Sequence, residues 1–308
     1  MKDKQMHKNA TYFLVLSFFI ALSFFTIGCK STQKEELPEV HPLALLDDQS
    51  SVYVSIPVQK HTQFVADILT SEMTNISKQD ALKVANQLEI LYAGISTVKD
   101  RKRIQIASVG SFPKIALKTI LKEKNGWNKN EYTAPSNPEC IAMHYPNEFT
   151  FYTRTDTDFE LCFPSEKMIT VSRAVSPLLD QYALRPTYVE NDQNKWIAQQ
   201  SEDVLFFITK PGQYLRGLIG QPIEIGCDFI KGKIVYVPNK KDASVYSGNY
   251  KLTFDVRATN ARARKILFNL LSLSLGMTDA DVVITDENTV TVNELSITEK
   301  EILSLFTR

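Results

Sequence analysis

A repeated order of strand and helix patterns is the feature that most constrains how this chain can fold. An alternating, β-branched run at 51–58 precedes a helical pattern, and a similar run at 203–211 does the same. Two further strand patterns, a helix and a closing strand follow in each half. The closing strands contain the clearest local match, which is ITVS at 169–172 against VTVN at 290–293. The shared order is therefore β-α-β-β-α-β.

This order predicts an α+β protein with two tandem ferredoxin-like modules, each built on an antiparallel sheet. We place the first module at 50–184, a polar linker at 185–202 and the second module at 203–308. A chain of 308 residues is long enough to bury two cores. The alternative is a single α+β domain whose elements alternate by chance.

The N-terminal region differs in character from these modules. Residues 1–10 carry three lysines and one aspartate, whereas residues 12–27 carry no charge and are apolar apart from two serines and a threonine. A run of 16 residues is shorter than the roughly 20 that a membrane-spanning helix needs, and it matches the core of a signal peptide. The small Gly28 and then Cys29 end the run, and the residues that follow are polar.

The segment Thr26-Ile27-Gly28-Cys29 resembles the lipobox of bacterial lipoproteins, which signal peptidase II recognises. Thr26 stands where leucine is usual, and this is similar to the relaxed lipoboxes of spirochaete lipoproteins. The resemblance covers only the N-terminal region and indicates no family for the globular part.

The lipobox resemblance implies a signal peptide at 1–28, cleavage between Gly28 and Cys29, and acyl chains such as palmitate on Cys29. Residues 29–49 would then form the acylated cysteine and a flexible tether that holds the folded part off the membrane. The alternatives are an uncleaved N-terminal anchor and ordinary secretion with an unmodified cysteine.

The residues after the cysteine and the charge balance both bear on location and partners. Lys30 and Ser31 do not resemble the acidic signal that retains some lipoproteins in the inner membrane, which favours the outer membrane. Cleavage would remove three lysines and one aspartate from 35 basic and 35 acidic residues, leaving a net charge of −2. Near-neutral charge argues against nucleic acid as a partner. The expected partners are the membrane, through the acyl chains, and an envelope protein or an apolar ligand.

The sequence contains no recognisable catalytic or metal-binding motif. It lacks GxSxG, HExxH and GxxxxGK[ST], and its four histidines are scattered. Cys140, Cys162 and Cys227 have no CxxC spacing, so a zinc site is not expected. We expect these cysteines to be small core residues, with a disulfide between Cys140 and Cys162 as the alternative. The prediction is a protein that is not an enzyme and holds no metal or cofactor.

The helix predicted at 261–276 is apolar around most of its circumference. Such a helix is buried, or it contacts lipid or a ligand. Burial in the core is the expectation, and a lining for an apolar ligand cavity is the alternative. The residues that would line this cavity are Ile266, Leu267, Leu270 and Leu271.

Four basic residues lie near the start of the same helix. They are Arg257, Arg262, Arg264 and Lys265. Their position suggests contact with anionic lipid headgroups or with a polyanionic polymer of the envelope. Aromatic residues do not interleave with them, as a platform for single-stranded nucleic acid would require.

The sequence therefore predicts a lipid-anchored envelope lipoprotein that binds a partner or acts as a scaffold, without catalysis. A carrier or sensor of a hydrophobic ligand, held by the second module, is the second hypothesis. A hydrolase of envelope material, with a site that sequence spacing does not reveal, is the third.

Replacing the predicted acylation site tests whether the protein is cleaved and anchored to a membrane at Cys29. We expect the membrane-extracted wild type to begin at Cys29 and to carry added acyl mass, and Cys29→Ala to lose both features. Intact-mass spectrometry with N-terminal sequencing measures this directly. A wild-type chain that retains residues 1–28 would contradict the lipoprotein hypothesis.

Overall fold

The structure, a computed structural model, describes most of the chain from residue 41 onward. The described residues are 41–72, 77–98, 101–113, 115, 117–118, 121–135, 147–155, 157–184, 191–219, 225–237 and 249–302. Gly28, Cys29 and Cys140 lie outside them. The chain divides into two compact units, which we call unit 1 and unit 2.

The described residues form both α-helices and β-strands. The helices are α1 (Thr62–Glu72), α2 (Lys78–Ala85), α3 (Ser176–Leu184), α4 (Asp192–Ile197), α5 (Gly212–Ile219) and α6 (Ala261–Leu275), with short 3-10 helices at Pro42–Leu45 and Glu123–Asn125. The first strands are β1 (Val52–Pro57), β2 (Leu88–Val98), β3 (Arg101–Gly110), β4 (Trp127–Thr133), β5 (Glu148–Arg154), β6 (Glu160–Ser165) and β7 (Met168–Ser172). The remaining strands are β8 (Val204–Ile208), β9 (Cys227–Val237), β10 (Asn249–Ala258), β11 (Asp281–Ile284) and β12 (Thr289–Thr298).

Unit 1 consists of Met1–Asp48, Val65–Tyr92 and Arg103–Val189. Its strands follow the order β2-β3-β7-β6-β5-β4, and the pairs from β3 to β4 are antiparallel. Helix α3 packs against the 3-10 helix at 42–45. The residues that α3 buries are Leu178, Leu179, Tyr182 and Ala183.

Hydrogen bonds to Asp47 hold the beginning of unit 1 on strand β3. The Asp47 N–H donates to Gln105 Oε1 at 3.0 Å, and its carboxylate accepts from Gln105 Nε2 at 2.7 Å. Arg103 Nη1 lies 3.0 Å from the same carboxylate. Gln105 is buried, so these bonds satisfy polar groups that would otherwise be costly to remove from water. The sequence assigned residues up to 49 to a flexible tether, but residues 42–47 are packed on unit 1 and belong to the folded part.

Unit 2 consists of Gln49–Phe64, Ala93–Lys102 and Glu190–Arg308. Its strands follow the order β11-β12-β10-β9-β8-β1, with every neighbouring pair antiparallel. The end of β2 lies on the other side of β1, where the Ser51 N–H donates to the Ile95 carbonyl at 2.8 Å.

Helix α6 covers part of the unit 2 sheet. It contacts β10, β11 and β12. Its buried residues recur every fourth position and so share one face; they are Ala263, Leu267, Leu271 and Leu275. Val290 and Val292 on β12 are fully buried. The core of this part of unit 2 therefore lies between α6 and the strands.

The α+β class and the antiparallel sheets are confirmed, but the two ferredoxin-like modules are not. A ferredoxin-like split β-α-β unit joins parallel strands through its helix. Here the strands on either side of α5, β8 and β9, are antiparallel neighbours. In addition, β1 pairs with β8, from Val52 opposite Ile208 to Ser55 opposite Leu205. The contacts thus group β1 with unit 2, whereas the predicted boundary at residue 50 grouped it with the first module.

A close approach at Gly232 on β9 gives a test of this packing. A Cβ at Gly232 would lie 2.4 Å from the Thr253 carbonyl oxygen, 2.6 Å from Phe254 Cβ and 2.7 Å from Phe206 Cζ. We therefore expect Gly232→Ala to lower the free energy of unfolding by about 1–3 kcal/mol, measured by urea denaturation. At Gly212 a Cβ would meet no atom within 4 Å, so Gly212→Ala is the matched control. Equal stability of the two variants would contradict this packing.

Candidate functional site

The N-terminal cap of α6 fixes where the helix begins. Asn260 precedes it in an extended conformation, and its side-chain Oδ1 accepts a hydrogen bond from the Ala263 N–H at 2.9 Å. Such a cap satisfies one of the free N–H groups at the start of a helix. The buried face described above determines which side of α6 turns outward.

The outward side of α6 also carries large apolar residues. Ile266 is 42% exposed, Leu273 is 78% exposed, and Met277, in the turn after the helix, is fully exposed. Arg262 lies one turn before Ile266 and is exposed as well. The spacing of these four residues places them along one line of the helix surface. We call Arg262, Ile266, Leu273 and Met277 the outer stripe.

The residues predicted to line an apolar cavity do not share one surface. Leu267 and Leu271 are both 0% exposed and belong to the face that packs on the sheet. Ile266 lies on the outer stripe, and Leu270 is half-buried between the two faces. The apolar residues around α6 therefore divide into two groups: one is buried against the sheet, and the other is exposed to water.

The four predicted basic residues divide into two pairs. Arg257 Nη1 donates to both carboxylate oxygens of Asp286 at 3.1 Å and to Thr289 Oγ1 at 3.1 Å. Arg264 Nη1 donates to the Asp286 carbonyl oxygen at 3.2 Å. These two arginines hold the turn between β11 and β12. Arg262 and Lys265 are exposed, and they remain the candidates for contact with an anionic surface.

The carboxylate of Asp286 is well suited to hold this turn. The Asn288 N–H donates to it at 2.7 Å, which lowers the pKa of Asp286 most strongly. A hydrogen bond from the Thr289 hydroxyl and the charge of Arg257 lower the pKa of Asp286 further. The group therefore stays ionised at neutral pH and keeps Arg257 engaged.

The two described cysteines are free thiols with raised pKa values. Burial raises the pKa of Cys162 to about 12. Burial and then the charge of Asp228 raise the pKa of Cys227 to about 11. Because the thiolate is the reactive form, neither thiol is activated as a nucleophile at neutral pH. Cys140, the predicted alternative partner of Cys162, lies outside the described residues.

Two further properties of the described residues concern metals and membranes. Within these residues, no group of three or more histidine, cysteine, aspartate or glutamate side chains comes together to hold a metal ion. Over the same residues, no helix combines the length and the apolar character needed to cross a membrane.

The sequence analysis did not predict two features of this site. Leu273 is one of the apolar residues of the predicted helix, but its exposure depends on how α6 sits on the sheet. The roles of Arg257 and Arg264 depend on Asp286, which follows them in sequence by 29 and 22 residues. Hydrophobic periodicity carries no information about either.

Comparison with known proteins identifies a family. The model of the family described as "Outer membrane-associated lipoprotein TP0453" matches residues 38–303. A search of curated proteins finds no match.

Solved structures show the same fold. Crystal form I of TP0453 matches with a TM-score of 0.62 and 15% identity, covering 88% of this chain and 98% of that one. Crystal form III matches with a TM-score of 0.59 and 15% identity, covering 87% of this chain and 98% of that one. At this level of identity the likeness concerns the fold alone.

The family match covers nearly all of the globular part, for which the lipobox resemblance indicated no family. It also agrees with the location predicted from the sequence, which is the cell envelope, with a lipid anchor and the outer membrane favoured. The chain belongs to the family of the outer membrane-associated lipoprotein TP0453.

Proposed function

We propose that this protein is a non-catalytic binding protein, acylated at Cys29, whose unit 2 rests on a membrane through the outer stripe of α6. The observation that carries the proposal is the exposure of Leu273 and Met277 on the same side of α6 as the exposed, basic Arg262.

The lipid anchor keeps the folded part close to a bilayer. Residues 30–40 lie between the predicted acylated cysteine and the first described residue, His41. A chain of this length reaches at most about 40 Å when fully extended. Residues 42–47 already belong to the folded part, through the buried 3-10 helix at 42–45 and the bonds of Asp47 to β3. The anchor therefore raises the local concentration of membrane around the folded part.

The outer stripe has the character of a surface that lies in a membrane interface. Large apolar side chains gain free energy on leaving water, and basic residues beside them are attracted to anionic headgroups. Arg262 and Lys265 supply that charge, since both are exposed. Arg257 and Arg264 contribute indirectly, because their bonds to Asp286 hold the neighbouring turn.

A non-catalytic role agrees with the chemistry of the described side chains. The thiols of Cys162 and Cys227 are held protonated by burial. The ionised Asp286 is used to hold a turn. These groups have structural partners or surroundings, and none is poised as a nucleophile or general base.

We also infer an internal repeat, which the strand order supports. In unit 2, the strands β8, β9, β10 and β12 are successive neighbours. These four strands form one series. A second series consists of β1, β2, β3 and β7, which are also successive neighbours. The four strands of each series thus occur in the same order along the chain and across the sheet. The first strands of the two series, β1 and β8, pair with each other.

A carrier of a hydrophobic ligand is the second candidate function. The observation that favours it is that α6 is apolar on two sides, so that it could contact both the sheet and a ligand. Because Leu267 and Leu271 are completely buried, a ligand could reach them only if α6 moved away from β10 and β12. Such a ligand would replace the sheet as the partner of the buried face.

Vesicle flotation tests the membrane proposal. We use the chain from residue 30 onward, which has no acyl chain, with vesicles of phosphatidylcholine and phosphatidylglycerol. Half-burial of Leu273 and Met277 would together contribute roughly 1.5 kcal/mol, about tenfold in partition coefficient. We therefore expect the double variant Leu273→Ser, Met277→Ser to bind about tenfold less than the unsubstituted chain.

The control for flotation is Ile115→Ser, which changes another exposed apolar residue, 67% exposed and in unit 1. This control should bind as the unsubstituted chain does. Raising the salt concentration should weaken binding, and Arg262→Gln should reduce that salt dependence. Binding that is unaffected by the double variant would contradict the role of the outer stripe.

Native mass spectrometry tests the carrier alternative. A carrier should retain an apolar molecule after extraction and removal of bulk lipid, and it should bind an added apolar fluorescent probe. If no adduct is observed and no probe binds, the carrier hypothesis is wrong.

A further inference from the structure

His61 occupies a buried position at the junction of three segments of unit 2. It follows the turn after β1 and immediately precedes α1, and it is only 2% exposed. Its Nε2 lies 2.9 Å from the carbonyl oxygen of Glu202, 141 residues further along the chain. A carbonyl oxygen only accepts hydrogen bonds, so Nε2 carries the proton. In the neutral ring, Nδ1 is therefore unprotonated.

The strand pairing explains why a side chain is needed at this place. The register of β1 and β8 ends at Ser55 opposite Leu205, and extending it by two residues would set Pro57 opposite Asp203. Proline has no N–H and cannot donate to the ladder. The imidazole of His61 supplies a donor to the Glu202 carbonyl just before β8 begins. It thus ties the start of α1 to the start of β8.

The second nitrogen of the ring makes this contact sensitive to acid. His61 Nδ1 is buried and has no hydrogen-bond partner among the described residues. A proton on Nδ1 would place both an unpaired N–H and a positive charge in the interior, and both are costly. Burial accordingly lowers the pKa of His61 below 6.5, and the bond to Glu202 and the charge of Asp203 only partly oppose this effect.

The charged groups around His61 are already paired with one another. On the same turn, Lys60 Nζ lies 3.2 Å from the Glu202 carboxylate. At the start of β8, the Asp203 carboxylate lies 3.1 Å from Nζ of Lys233, which is on β9. Neither carboxylate is therefore a dedicated counter-ion for an imidazolium.

We propose that the contact between His61 and the Glu202 carbonyl is an acid-sensitive latch that releases the start of α1 when the ring binds a second proton. The pair stays closed while the ring is neutral. On protonation, residues 58–64 and 202–204 separate, and the imidazolium reaches water.

The direction of the pH dependence follows from the two states. An exposed histidine in the open or unfolded chain has a pKa near 6.5, and the closed form has a lower one. The open form therefore binds more protons over the interval between these pKa values. The stability of the latch is complete above about pH 6.5 and falls as the pH drops below it, until the pKa of the closed form is reached.

Hydrogen exchange followed by mass spectrometry tests the latch in the full-length protein held in detergent. After correction for intrinsic rates, protection of peptides covering 58–64 and 202–204 should fall several-fold from pH 7.5 to 5.5, by at most about tenfold per pH unit. His61→Gln keeps an N–H donor for the Glu202 carbonyl but binds no proton, so its protection should not change. The same peptides in His41→Gln should behave as in the wild type, because His41 lies in unit 1.

A second measurement needs no variant. The slow exchange of the imidazole C2 proton in the wild type reports the pKa of His61 itself. A pKa below 6.5, with pH-dependent opening of the two segments, supports the latch. A pKa of 6.5 or above, or equal loss of protection in wild type and His61→Gln, would overturn it.

Discussion

Unit 2 depends on the packing of α6 against β10, β11 and β12, because this contact buries the apolar residues of both helix and sheet. Leu267 and Leu271 are completely buried there, together with Val290 and Val292. Since α6 is apolar around most of its circumference, burying one face leaves other apolar residues in water. Leu273 and Met277 are the result. Exposed large apolar side chains of this kind support the proposed contact with a membrane.

Several basic residues of unit 2 pair with carboxylates of the protein itself, which reduces the charge they present to a partner. Arg257 and Arg264 both bind Asp286, and Lys60 and Lys233 pair with the carboxylates beside His61. Pairs of this kind contribute little net charge to the surface. Of the four basic residues near the start of α6, the exposed Arg262 and Lys265 are therefore the ones best placed to contact an anionic surface. The proposed attraction to an anionic surface would therefore act on one side of unit 2.

Local patterns in the sequence correctly predicted several helices and strands, but they could not predict which strands pair across long distances in the chain. The runs at 51–58 and 203–211 became β1 and β8, and the helix at 261–276 became α6, because hydrophobic periodicity and caps act within a few residues. The pairing of β1 with β8 joins residues about 150 positions apart, and no periodicity encodes it. Likewise, the sequence identified α6 as important but could not tell Leu267 from Leu273, because the sheet decides which one is buried.

The position of the outer stripe at a bilayer is the central claim, and fluorescence quenching tests it most directly. A tryptophan introduced by Leu273→Trp would report the surroundings of that side chain in vesicles whose acyl chains carry bromine, after subtraction of the signal from the unsubstituted protein. The account predicts strong quenching at this position and none for Ile115→Trp in unit 1. Fluorescence from position 273 that is unchanged by brominated lipid, while the protein remains bound to the vesicles, would contradict it.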